Sequence, residues 1–143
     1  MTIDKPRVIL DTNIFLVSLV PHFKYYWVFE KLLAGDYSLV VSNEILSEYE
    51  EKIVEKFGLA LADSSLDFLM LLNNVELVNP YYNWNLITRD PDDNKFVDGA
   101  VSGNVDYLIT NDKHFNILKE VEFPPINVIN LAEFEALFEH KEK

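Results

Sequence analysis

The chain has no cysteine, which excludes disulfide scaffolds, thiolate zinc sites and cysteine nucleophiles. No apolar run is long enough to cross a bilayer. Asp4, Lys5 and Arg7 stand before the first strand-like segment, so neither a membrane span nor a secretory signal is expected, and the expected location is cytoplasmic. Positive charge is scarce, with 12 Lys and Arg against 24 Asp and Glu and a formal net charge of −12. A field of that sign opposes long-range attraction of nucleic acid. It suits a hard cation or a basic partner protein, and most often it is simply a solvated surface. What remains is ordinary for a folded chain: 143 residues, 49% hydrophobic and 25% charged, fit one domain spanning 1–143.

Strand and helix signals alternate along the chain. RVILD (7–11) and YSLVVS (37–42) are compact, β-branched runs of the kind that form buried parallel strands. TNIFLVSLV and FKYYWVFEKLLAG carry helical patterns, interrupted by Pro21 and closed by Gly35. Ser42 is a candidate cap for NEILSEYEEKIVEKFG, and ALADSSLDFLMLLNN follows it as a further helix. VELV (75–78), VDYLIT and INVIN read as strands, DDNKFVDGAVSGN and LAEFEALFEH as helices, and NDKHFNILKE as a loop entering a short helix. Between Val78 and Pro91 no period holds, and a loop is expected. Alternation of this kind predicts an α/β fold, a three-layer α/β/α sandwich around a central parallel sheet. In such sheets ligands bind in the crevice at the carboxyl ends of the strands.

That edge tests each acid. Asp11 ends the first strand and precedes a helix, so it is either a cap or a metal ligand. Asn111 and Asp112 repeat the arrangement after VDYLIT, where a turn is the ordinary explanation. On the helix beginning at Asn43, the stripe Ile45, Leu46, Tyr49 and Ile53 faces the core. Glu48 flanks that stripe, whereas Glu44, one turn earlier, sits on the same side but further from it. A partly exposed surface glutamate is the bland reading of Glu48.

The segment RDPDDNKFVDGA (89–100) carries Asp90, Asp92, Asp93 and Asp98. Pro91 suits the first helical position, which makes Asp90 the cap. Asp92 and Asp93 then fall in the first turn, where the helix dipole favours each acid by roughly 0.3–1 kcal/mol. The buried face is set by Phe96, Val97, Ala100 and Val101, and Asp93 falls near its centre. Asp98 points to the other side, and both Asp92 and Asp98 are expected to be solvated. An inward carboxylate is costly unless it is paired or metal-bound. The bland alternative is a reciprocal cap from Asp93 to the amide of Asp90. Asp11, Glu48, Asp93 and Asp112 can thus meet at one sheet edge. Without a cation they would repel one another, and Mg²⁺ or Mn²⁺ resolves that conflict. Asn13, Thr110 and Asn111 are placed to support the carboxylates from behind.

In these stretches the chain resembles the PIN-domain family of metal-dependent ribonucleases. The resemblance rests on VILDTNIFL, SNEILSEY, RDPDDNKFVDGA and DYLITNDKHF, in that order, and covers nearly the whole sequence. It implies a metal-binding quartet of Asp11, Glu48, Asp93 and Asp112, which hydrolyses phosphodiester bonds of single-stranded RNA and leaves a 5′-phosphate and a 3′-hydroxyl. The wording is similar to the toxin branch of toxin–antitoxin ribonucleases, which implies a small inhibitory antitoxin and a homodimer. Arg89, Lys95 and Lys113 are the expected RNA contacts, with His114 and Lys24 nearby. Phe23, Tyr25, Tyr26 and Trp27, or Tyr81, Tyr82 and Trp84, offer rings for base stacking, although core and loop packing are their ordinary roles.

Two other function classes fit parts of the pattern. An aspartate-based phosphotransfer enzyme could use Asp11 as nucleophile. Its haloacid-dehalogenase form wants an acid where Asn13 stands, and its receiver form matches Lys113 only loosely. A catalytically weak binding module could instead offer the acidic surface to a basic protein. Metal-dependent cleavage separates that module from an enzyme.

Overall fold

The computed structural model describes residues 5–88 and 90–139. Strands β1 (Arg7–Leu10), β2 (Ser38–Val41), β3 (Val75–Leu77), β4 (Tyr107–Ile109) and β5 (Val128–Ile129) form one five-stranded sheet in the order β3-β2-β1-β4-β5. Every neighbouring pair is parallel. Central parallel strands are covered on both faces, which is why Val8, Ile9, Leu39, Val40, Val41 and Leu108 are wholly buried and the strands read as unbroken apolar runs.

The helices are α1 (Thr12–Val17), α2 (Tyr26–Leu33), α3 (Asn43–Phe57), α4 (Leu59–Leu71), α5 (Asn94–Ser102) and α6 (Leu131–Glu139). Ser42 caps α3 by accepting from the Ile45 amide, and Gly58 ends it at φ 98°, a left-handed conformation that side chains resist. No helix among the described residues is long and apolar enough to cross a membrane.

Both sheet faces carry helices. On one face, α3 and α5 press against Ile9 and Val40. A Cβ at Gly99 would lie 3.1 Å from the Ile9 side chain and 3.2 Å from that of Ile45. On the other face, α2 and α6 close around Tyr37. Its hydroxyl donates to the Val28 carbonyl at 2.7 Å, and its ring meets Phe134 and Phe138. The three-layer α/β/α architecture expected from the sequence is present. Because Gly99 sets the distance between α5 and the sheet, Gly99→Leu is expected to destabilise the fold by about 3 kcal/mol, the upper end of overpacking costs. A urea-unfolding midpoint measures this.

Two elements differ from their sequence reading. The helix expected from Asp92 opens as a 3₁₀ turn, Pro91–Asp93, before α5. The segment after β4 is a longer 3₁₀ helix, Lys113–Glu120. Its buried residues, Phe115 and Leu118, are three apart, and a three-residue turn keeps such a pair on one side.

The chain order places β2 on one side of β1 and β4 on the other. The carboxyl ends of β1 and β4 therefore flank the point where strand order reverses, the position in open α/β sheets where a crevice forms.

Candidate active site

Asp11 follows β1 directly, and its amide donates to the Ile109 carbonyl at 3.0 Å, which ties it to the end of β4. Its carboxylate makes no capping bond to α1. Instead, Oδ2 accepts from the Thr110 hydroxyl at 2.8 Å, and the same hydroxyl accepts from the Asp112 amide at 3.0 Å. Thr110 thus links the two acids that close β1 and β4. Burial pushes the Asp11 carboxyl above its usual range. The Thr110 hydroxyl and Thr12 backbone oppose this, while the charges of Asp112 and Glu48 add to it.

Glu48 reaches the same place from α3. It accepts from the hydroxyl of Thr12, the neighbour of Asp11, and from Lys95 Nζ at 2.7 Å. Glu44 is exposed, and its charge acts on Asp98. Of the two glutamates, Glu48 is the one packed against the Asp11 corner. Beneath it Tyr49, wholly buried and stacked on Phe15, donates to the Leu10 carbonyl and fixes α3 to the end of β1.

Asp93 stands at the junction of the 3₁₀ turn and α5. Its Oδ2 is buried with no hydrogen-bond partner among the described residues, and its side chain does not cap α5. Burial, joined by the charges of Asp90, Asp11, Asp112 and Glu48 in that order, pushes the Asp93 carboxyl up to about 7. An unpaired buried oxygen surrounded by negative charge is an unfavourable arrangement in the chain alone. A divalent cation would satisfy it.

Asp90 occupies the cap position before Pro91, but its side chain caps nothing. Asp90, Asp93 and His114 instead each offer a ligand atom, all within 4.8 Å of one another. Asp112 accepts from the His114 amide at 2.9 Å, and its Oδ1 is 3.6 Å from the His114 ring nitrogen Nδ1. The sequence alone assigns Asp90 to a cap and marks His114 only as a nearby basic residue.

Residues 7–114 match the PIN domain family. The chain belongs to that family. This PIN domain is 30% identical over 134 residues to the "Uncharacterized protein MJ1680" of Methanocaldococcus jannaschii, a match covering 89% of this chain and 84% of that protein. Among solved structures it is similar to a chain of VapBC2 from Rickettsia felis bound to a DNA fragment from their promoter, with a TM-score of 0.59 and 21% identity. It is likewise similar to DNA-bound VapBC from Salmonella typhimurium, with a TM-score of 0.55 and 13% identity. Each alignment covers 87% of this chain and 98% of the other. At such identities the likeness establishes the fold.

The PIN domain departs from several of its sequence-based assignments. Lys95, expected to contact RNA, is pinned inside the site, with its side chain only 10% exposed between Glu48 and Asp92. Burial lowers its pKa, but the hydrogen bonds and charges of Glu48 and Asp92 outweigh that and hold it above the usual lysine range. Asp98 was expected in solvent and is buried, with Oδ1 accepting from the Trp84 amide at 2.9 Å. The 78–88 loop folds back over that flank of α5 and covers it. Asn94, one turn earlier, holds the same loop through Ile87.

Of the three supporting residues, Thr110 does bond Asp11. The Asn111 side chain is used elsewhere, accepting from the Leu131 amide at the start of α6 at 3.0 Å. Asn13 is exposed, and its side chain makes no hydrogen bond among the described residues. Thr12 takes the role expected of such a neighbour. The only signal for this was its place beside Asp11 at a helix start. Arg89 lies outside the described residues, and Lys113 is exposed. Of the candidate stacking rings, Tyr81 and Tyr82 are exposed, whereas Trp84 packs between Tyr82 and Phe123.

Proposed function

We propose that this PIN domain is a divalent-metal-dependent endoribonuclease that hydrolyses single-stranded RNA as the toxin of a toxin–antitoxin pair. Family membership supports a nuclease. The observation that carries the metal requirement is the buried, unpartnered Oδ2 of Asp93 among four further acids. The oxygen-rich donor set fits Mg²⁺ or Mn²⁺. Asp93, Asp11 and Asp112 would hold the ion, Glu48 would complete the site, and Asp90 and His114 offer further ligand atoms within 4.8 Å of one of Asp93. Bound there, the ion would supply Lewis-acid charge to the scissile phosphate and to the attacking water.

The chain's own residues do the positioning. The Thr110 hydroxyl fixes Asp11 relative to Asp112, so both carboxylates present at the crevice between β1 and β4. Thr12 and Lys95 hold Glu48 on either oxygen and orient it toward the Asp11 corner. Bound metal would also reverse the local potential, so the net charge of −12 does not bar an anionic substrate. The fold likeness to VapBC2 and VapBC supports an antitoxin partner, and a homodimer belongs to the same reading.

The test is cleavage of a mixed-sequence single-stranded RNA with Mn²⁺ or Mg²⁺. Wild type is expected to cleave, and Asp112→Asn or added EDTA to abolish cleavage. Cleavage that survives both would overturn the assignment. A folded, metal-loaded protein that cuts no RNA would favour the binding module.

A further inference from the structure

Beyond Asp112 the acidic site opens into a cleft of about 330 Å³ between the 3₁₀ helix and the start of α6. Thr110, Asn111 and Asp112 form its inner end, and Lys113, Asn116 and Lys119 line one wall. That wall follows from the backbone. A 3₁₀ helix has three residues per turn, so positions 113, 116 and 119 eclipse one another. Phe115 and Leu118 take the core side and leave this row facing outward. At about 2.0 Å rise per residue the row spans about 12 Å, enough to meet more than one phosphate of a strand that advances about 3.4 Å per phosphate in a duplex.

The charge is as unusual as the shape. In this acidic chain most described basic side chains are already engaged. Arg7 pairs with Glu76, Lys31 with Asp36, Lys52 with Glu55 and Lys95 with Glu48. Lys24 and Lys56 lie over the rings of their neighbours Tyr25 and Phe57, and Lys5 precedes β1, at the opposite edge of the sheet from the site. Lys113 and Lys119 are exposed and have no carboxylate partner among the described residues. Besides Asp112 the cleft holds one further acid, Glu133, and it is turned to α6: its Oε1 accepts from the Asn130 amide at 3.0 Å, and its own amide donates to Asn130 Oδ1 at 2.8 Å.

We propose that Lys113, Asn116 and Lys119 form a subsite for the sugar–phosphate backbone of single-stranded RNA, which carries the strand away from Asp112. The proposal rests on the ribonuclease reading above. Lysine ammonium groups supply point charge to phosphate oxygens, and the Asn116 amide donates between them. The three are binding residues and leave the reacting atoms to the acids.

The experiment compares wild type, Lys113→Ala/Lys119→Ala, and a charge-matched control, Lys5→Ala/Lys56→Ala. Fluorescence anisotropy of a labelled mixed-sequence single-stranded RNA in EDTA gives affinity over a salt series. Steady-state cleavage with Mn²⁺ gives KM and kcat. The cleft variant is expected to bind at least tenfold more weakly. Its slope of log affinity against log salt should be shallower by about 1.4, the loss of two single-strand phosphate contacts at about 0.7 each. KM should rise with kcat unchanged, and the control should match wild type. Equal weakening by the two pairs, or no weakening, or no RNA binding by wild type, overturns the subsite. Lysine-dependent binding without any cleavage would leave the subsite standing and remove the nuclease reading. Cleavage with lysine-independent KM would do the reverse.

Discussion

Asp93→Asn is expected to abolish metal-dependent RNA cleavage and, at the same time, to make the metal-free protein more stable at neutral pH. Both effects follow from one atom. Oδ2 of Asp93 is buried without a partner, and the carboxyl is pushed from an ordinary 3.8 up to about 7, first by burial and then by Asp90, Asp11, Asp112 and Glu48. The folded state therefore binds a proton that the unfolded chain has released. The associated stability is complete below about pH 4 and is lost as pH rises through about 7. In the variant that loss disappears. The gain above neutrality is on the order of 1–2 kcal/mol once partial solvent screening is allowed for, or several degrees of melting temperature. Melting curves of the metal-free protein from pH 4 to pH 8 should slope downward for wild type and run flatter for Asp93→Asn. Added Mn²⁺ should raise the melting temperature of wild type and leave the variant nearly unmoved. Cleavage should fall by at least about 100-fold, since even residues that only support a metal ligand cost 10–100-fold. A variant less stable than wild type at pH 8 would show that Asp93 has a structural partner instead.

Asn94→Ala is expected to cost about 2–4 kcal/mol, because it would orphan two buried backbone groups. Asn94 is 8% exposed, and its amide closes a two-way bond with Ile87, accepting from the backbone N–H and donating to the C=O, both at 2.9 Å. Ile87 itself is buried at 3% exposure, so water cannot replace those bonds without opening the loop. The cost should appear in urea unfolding, and the Ile87 amide should exchange with solvent much faster than in wild type. Function should suffer as well. The loop leads toward Asp90, whose carboxylate shares a neighbourhood with Asp93 and His114. Loosening the loop is expected to weaken metal binding more than RNA binding. Unchanged exchange at Ile87 would mean that the loop is held by its other anchor, the Trp84 amide on Asp98.

The sequence by itself determined the order of elements, the parallel sheet and the direction in which each acid leaves its own helix or strand. These are local properties. Unbroken apolar runs such as RVIL and SLVV mark strands covered on both faces. The 3.6-residue period turns Asp93 inward and brings Glu48 closer to the core than Glu44. What a period cannot supply is the identity of the segment that covers a given side. Asp98 does point away from the sheet-facing side of α5, yet it is buried because the aperiodic 78–88 loop returns to it. Lys95 reads as a free cation near an acidic motif until α3 arrives with Glu48 and encloses it. Asn111 and Thr110 are neighbours in sequence, but the start of α6 takes the first and Asp11 takes the second. Asp90 and His114 come together where a 3₁₀ turn follows the loop and a 3₁₀ helix follows β4. Each of these outcomes depends on contacts between residues far apart in the chain, and only the folded arrangement supplies them.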